Sequence, residues 1–160
     1  MLELVKKWKG GSKHTDWILK HGSRTLLRKA DPSIYGHFGL SATHNCEISH
    51  AKLSDRRIQL EQSITVDFAL INKATTAQLF RIELGVYYVK SGGNNSRKLF
   101  KLTENTFKPA EEYKFKRKIS FKDLTTRKHY AGKHKIAIVV NGNELKTLDF
   151  TVDPLQTSRP

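Results

Sequence analysis

Seven histidines, one cysteine and one pair of adjacent carboxylates are the side chains of this 160-residue chain best suited to bond-making or metal chemistry. A zinc site needs three or four ligands converging on one point. His129 and His134 flank a glycine-containing loop, and no further ligand stands at metal-binding spacing. His14 and His21 are seven apart and could share a helix face, but His37, His44 and His50 complete no set with them. Cys46 is alone, which excludes an intrachain disulfide and a cysteine-cluster zinc site. Glu111 and Glu112 are neighbours on a strand-like run, so they point to opposite faces and cannot work jointly as acid and base. There is no G-x-S-x-G, no Walker loop and no G-x-G-x-x-G. The glycine-rich stretch Ser91–Ser96 joins two strand-like runs instead of opening a helix, so it is no phosphate cradle. The expectation is a chain with no catalytic residue of its own, no metal and no cofactor.

The cations are a stronger signal. Lys and Arg number 29 against 15 Asp and Glu, a net charge of +14 with a pI near 10.0. Such an excess suits a polyanion, nucleic acid first and an anionic membrane second. Lys20, Arg24 and Arg28 stand at i, i+4 and i+8, one face of a helix. Arg97 and Lys98, with Lys101, follow the glycine-rich connection. Arg127, Lys128, His129 and Lys133 crowd a loop, where cations and a ring can contact phosphates or enter a groove. Lys114, Lys116 and Lys118 share the outward face of a strand with Arg117 on the other; this ladder reads equally as a solvated face that blocks edge pairing. The candidate DNA contacts are therefore Lys20, Arg24, Arg28, Arg97, Lys98, Arg127, Lys128, His129 and Lys133.

Two kinds of element must position these side chains. Over residues 1–44 the apolar spacing is helical. Thr15 or Asp16 can cap a helix from Trp17, and Asp31-Pro32 suits the start of a second carrying Ile34, Tyr35 and Phe38. This hairpin cannot bury its apolar faces alone, as in one unit of a helical solenoid. From residue 45 the period becomes two. Ile64, Val66, Phe68 and Leu70 alternate with Thr65, Asp67, Ala69 and Ile71, and Ile82, Leu84, Val86 and Tyr88 with Arg81, Glu83, Gly85 and Tyr87. Tyr113, Phe115, Arg117, Ile119 and Phe121 alternate with lysines and Ser120; Ile136, Ile138 and Val140 follow, then Leu148, Phe150 and Val152. With segments 46–53, 56–61 and 98–103 this makes seven or eight short strands, and Asn141-Gly142 is a two-residue hairpin signal. The expected architecture is mainly β: an immunoglobulin-like antiparallel sandwich over 45–153, preceded by the helical hairpin of 1–44 and followed by a tail, 154–160. Tyr130, just before the penultimate strand, suits the corner tyrosine of such sandwiches or an ordinary half-buried one. Apolar runs are too short to span a bilayer and the N-terminus has no secretory pattern, so a soluble cytoplasmic monomer is expected.

Three pieces of sequence carry a family resemblance. Lys98-Leu99-Phe100-Lys101-Leu102 is followed by Thr125, Arg127, Tyr130, Gly132 and His134, and then by Asn141-Gly142. This run resembles the C-terminal immunoglobulin-like domain of AlkC-type bacterial alkylpurine DNA glycosylases. Upstream, WILKHGSRTLLRKADPSIYGHFGL is similar to the last HEAT-like repeat of the same proteins. The resemblance implies a parent that hydrolyses the N-glycosidic bond of 3-methyl-purine-type bases in double-stranded DNA. Its HEAT-repeat solenoid would supply the catalytic groups, and the immunoglobulin-like domain would help to wrap the duplex. No catalytic acid carries over, because Glu3, Asp16 and Asp31 are the only acids before residue 45 and none matches such a position. The expected function is a DNA-binding C-terminal portion that is not catalytic alone. The alternative is a protein-interaction domain whose helices dock on a solenoid partner, with incidental basicity.

Overall fold

The structure, a computed structural model, describes residues 45–156 and the single residue Lys13. The expected helical hairpin, with Lys20, Arg24 and Arg28, lies outside the described residues. Eight strands follow in order: β1 (Cys46–Leu53), β2 (Arg57–Gln59), β3 (Ser63–Asn72), β4 (Gln78–Val89), β5 (Asn95–Phe107), β6 (Glu112–Ser120), β7 (Gly132–Val140) and β8 (Asn143–Asp153). They form a three-stranded sheet, β1-β3-β6, and a five-stranded sheet, β2-β8-β7-β4-β5. Neighbours are antiparallel except β2, which runs parallel to β8. This is the expected immunoglobulin-like sandwich.

The two-residue period decides which faces meet. Ile64, Val66, Phe68 and Leu70 of β3 are fully buried, as are Ile82, Leu84 and Val86 of β4 and Ile136 and Ile138 of β7. They face one another across the sandwich in one core cluster. Aromatic rings fill its width, with Phe68 and Phe115 stacked at 5.1 Å and Phe121 edge-on to Phe150 at 5.5 Å. On β6, which is an edge strand, Lys114, Lys116 and Lys118 are exposed while Ile119 is buried, as the alternation requires. The central strands of the larger sheet are covered on their outer side too. Ala137 and Val139 are fully buried there, beneath Tyr87 and Leu99.

The buried amide side chains of Asn72 and Asn141 are hydrogen-bonded. Asn72 donates from Nδ2 to the carbonyls of Phe107 (2.9 Å) and Thr76 (3.0 Å), and its Oδ1 accepts the Ala74 N–H at 2.9 Å. The Asn141-Gly142 turn has φ of 47° and 83°, the pair of left-handed residues that a tight hairpin between right-twisted strands needs. Asn141 also accepts the Arg81 N–H on Oδ1 at 2.7 Å, fixing β7 to β4. Burial pushes the Cys46 thiol up to about 11, so it stays protonated and inert at neutral pH.

Strand ends differ from the expectation. β5 runs from Asn95 to Phe107 where 98–103 was expected, and β2 is three residues where 56–61 was expected. At the end of β5, Thr103, Asn105 and Thr106 pair with β4 through the backbone but show no apolar alternation. An edge strand can extend on backbone bonds alone, so its side chains do not announce it.

Candidate nucleic-acid interface

The chain crosses from the smaller sheet to the larger one through residues 121–131, between β6 and β7. Phe121 is fully buried and anchors the start of this loop. The Asp123 N–H donates to Glu61 Oε1 (3.0 Å), and Asp123 Oδ1 accepts the His129 N–H (2.8 Å). Between them Leu124 and Arg127 exchange backbone hydrogen bonds of 2.9 and 3.1 Å around Thr125-Thr126, a miniature hairpin. At the far end His134 Nε2 donates to the Tyr130 carbonyl at 2.9 Å. A loop tied at both ends and across its middle presents its side chains at fixed positions. Arg127 is the main beneficiary: its guanidinium lies 4.7 Å from the centre of the Tyr88 ring.

This loop closes one side of a groove of about 190 Å³ between the edge strands of the two sheets, β5 and β6. Its apolar lining is Leu84, Tyr88, Phe100, Ile119 and Leu124. Its charged lining is Lys98 from β5, Arg117 and Lys118 from β6, and Arg127 from the loop, with no carboxylate among the described residues that line it. Lys98 Nζ sits 5.0 Å over the Phe100 ring. Burial holds the Tyr88 hydroxyl above its ordinary range, against the opposing pull of Arg127. Burial also depresses His129, and the charge of Arg127 depresses it further, so its ring is neutral at pH 7. The positive potential of the groove therefore comes from its Lys and Arg side chains.

Of the expected contacts, the structure brings Lys98 and Arg127 together in this groove, and it leaves Lys128 and Lys133 exposed nearby in sequence. His129 is different. It was expected as an exposed loop contact, yet it is only 5% exposed and packs 5.3 Å from Tyr88 and 5.2 Å from Phe121. Its role in the loop is support, because an imidazole among aromatic rings is better sheltered than solvated. Arg97 does not join Lys98 either. The pleat sends it to the outer face of the larger sheet, where Nη1 meets Glu144 Oε1 at 2.9 Å. The same oxygen accepts the Tyr87 hydroxyl, and Lys135 Nζ lies 4.2 Å from the Tyr87 ring. Burial raises the Glu144 carboxyl, but the hydrogen bonds from Tyr87 and Arg97 outweigh it and hold the group low. Sequence reasoning missed Tyr88, Phe100 and Arg117 as groove residues. Arg117 carried a signal: it occupies the inward register of β6, between Phe115 and Ile119, where the alternation calls for an apolar side chain.

Comparisons with known proteins bear on this arrangement. The family model described as the C-terminal Ig-like domain of uncharacterised protein YhaZ matches residues 47–154. Uncharacterized protein YhaZ of Bacillus subtilis is 36% identical over 150 residues, covering 94% of this chain and 42% of that protein. Among solved structures, Pseudomonas fluorescens alkylpurine DNA glycosylase AlkC, bound to DNA containing an abasic site analog, matches with a TM-score of 0.85 and 30% identity. That match covers 94% of this chain and 42% of the glycosylase. A beta-glucosidase from Listeria innocua also matches, at a TM-score of 0.53 and 13% identity over 68% of the chain, which reflects the sandwich fold alone. The chain thus spans less than half the length of the relatives it matches over nearly all of its own.

Proposed function

Since the chain belongs to the family of the YhaZ C-terminal Ig-like domain, we propose that it is the DNA-binding C-terminal portion of a DNA alkylation repair glycosylase. The observation that carries this reading is the likeness, over 94% of the chain, to an alkylpurine DNA glycosylase solved on DNA. The groove between β5 and β6 supports it, because among the described residues that line it there are cations and no carboxylate. In this reading residues 1–44 form a HEAT-like helical hairpin, 45–153 the sandwich and 154–160 a tail. Lys20, Arg24 and Arg28 would hold backbone phosphates from the helix, and Lys98, Arg127, Lys128 and Lys133 from the sandwich. The parent would excise 3-methyl-purine-type bases through groups of its helical repeats, which the 160 residues do not supply. The chain would work in the cytoplasm as a monomer, with a HEAT-repeat domain as its neighbour in the parent.

The expected behaviour is weak, sequence-independent binding to double-stranded DNA with log Kd rising linearly with log salt. Fluorescence anisotropy with a labelled duplex at several salt concentrations measures it, and a salt-insensitive Kd would refute phosphate neutralisation. Incubation with alkylated DNA should release no 3-methyladenine. Excision that disappears on substituting one of this chain's own residues would overturn the non-catalytic reading.

A further inference from the structure

We propose that the groove between β5 and β6 is a clamp for a single backbone phosphate of duplex DNA and excludes the bases. This inference rests on the DNA-binding reading and adds where the strand sits and which part of it is recognised. Two features select an anion. Lys98, Arg117 and Arg127 reach the groove from three separate segments, so the fold gathers cations that the sequence holds up to 29 positions apart. No carboxylate among the described lining residues neutralises them. Elsewhere on the sandwich the pattern differs: Arg81 meets Glu83 at 2.8 Å and Glu104 at 3.1 Å, and Arg97 meets Glu144. A charge-assisted hydrogen bond from a guanidinium or an ammonium to a phosphate oxygen is the contact such groups make best.

Two further features exclude a base. Recognition of a splayed base needs an open aromatic face on which it can stack. Both aromatic rings of the groove are already covered, Tyr88 by Arg127 and Phe100 by Lys98. The space is also small: about 190 Å³ is well below the roughly 300 Å³ at which pockets for whole small molecules begin. A phosphate with the edge of its deoxyribose against Leu124 or Ile119 is the matching occupant. Each ring holds its cation ready, so little side-chain freedom is lost when the phosphate arrives.

The test compares two charge-matched double variants of the whole chain on a fluorescein-labelled 20-base-pair duplex. Lys98→Gln with Arg117→Gln removes two exposed groove cations. Lys114→Gln with Lys116→Gln removes two cations from the outward face of β6. The groove pair should weaken binding about ten-fold and flatten the log Kd against log salt slope by about one. The outward pair should change Kd by less than about two-fold. Thermal melts of both confirm folding, since all four side chains are exposed. Equal weakening by the two pairs overturns the clamp and leaves general DNA binding standing. A wild-type chain that does not bind the duplex overturns both. Amide shifts on adding duplex should cluster at Lys98–Phe100, Arg117–Ser120 and Leu124–His129; shifts confined elsewhere also overturn it.

Discussion

At the scale of single residues, the polar side chains inside the sandwich are the points where stability is most exposed to change. His134 is 1% exposed and gives its Nε2 proton to the Tyr130 carbonyl. Its Nδ1 is buried without a hydrogen-bond partner among the described residues, beside Phe121 and Phe150. Burial lowers its pKa below 6.5, and His129 shifts in the same direction. The unfolded chain takes up these protons near pH 6.5 and the folded chain refuses them, so acid favours unfolding. Tm should fall as pH drops from about 7 toward 5, and His134→Phe should reduce that fall. Asp67 and Glu144, whose carboxyls are held low, contribute a separate loss further into acid. A Tm that is flat from neutral pH to 5 would contradict this assignment. Asn72→Ala should cost about 1–3 kcal/mol in urea unfolding, because it strands two carbonyls and an N–H that Asn72 now satisfies. The identities of these residues were readable in sequence but their burial was not. His129 and His134 look alike in a basic loop, and only the packing of Phe121 and Tyr88 shows that both lie inside.

Elements were more legible. Alternation located β3, β4, β6, β7 and β8, because each turns one face to the core and a buried face imposes a period of two; β1, β2 and β5 were read only as short strand-like segments. The Asn141-Gly142 hairpin was legible because its turn demands residues that tolerate positive φ. The ends of β5 were not, since an edge strand continues on backbone bonds that leave no mark on side-chain type. The loop from Phe121 to Ala131 was visible as a basic segment, while its ties to Glu61 and to itself were not. Gly132 closes that loop with φ of 143°, and a Cβ there would stand 3.2 Å from Val89 Cγ2. Gly132→Ala should therefore destabilise the sandwich by about 1–2 kcal/mol, read from the urea midpoint. It should also shift the amides of Thr125–His129, because the loop's exit is set at that residue. An unchanged midpoint would mean that the backbone relaxes without strain.

For the whole molecule, total charge is a poor guide to where a polyanion sits. At physiological salt, exposed charges farther apart than about 8 Å hardly sense one another. A net +14 spread over the chain therefore does less than a few cations gathered at one cleft. That gathering is a tertiary event. It needs β5 and β6, edges of different sheets, to lie on the same side of the core. Periodicity reports which way a side chain faces but not which edges become neighbours, and this is why the family resemblance was legible while the groove was not. The resemblance rested on a contiguous strand segment, Lys98–Leu102, and on closely spaced loop and turn residues, all readable along the chain.

The short parallel pairing of β2 with β8 has a mechanical meaning. Arg57, Ile58 and Gln59 run alongside Thr151, Val152 and Asp153, with flanking bonds from the Thr151 N–H to Arg56 and from the Leu60 N–H to Asp153, each 2.9 Å. Tension applied between the start of β2 and the end of β8 pulls these two segments past each other along their length. Their cross-links must then shear as a group instead of opening one after another like a zip, so this pairing is the seam that yields last when β2 and β8 are drawn apart lengthwise.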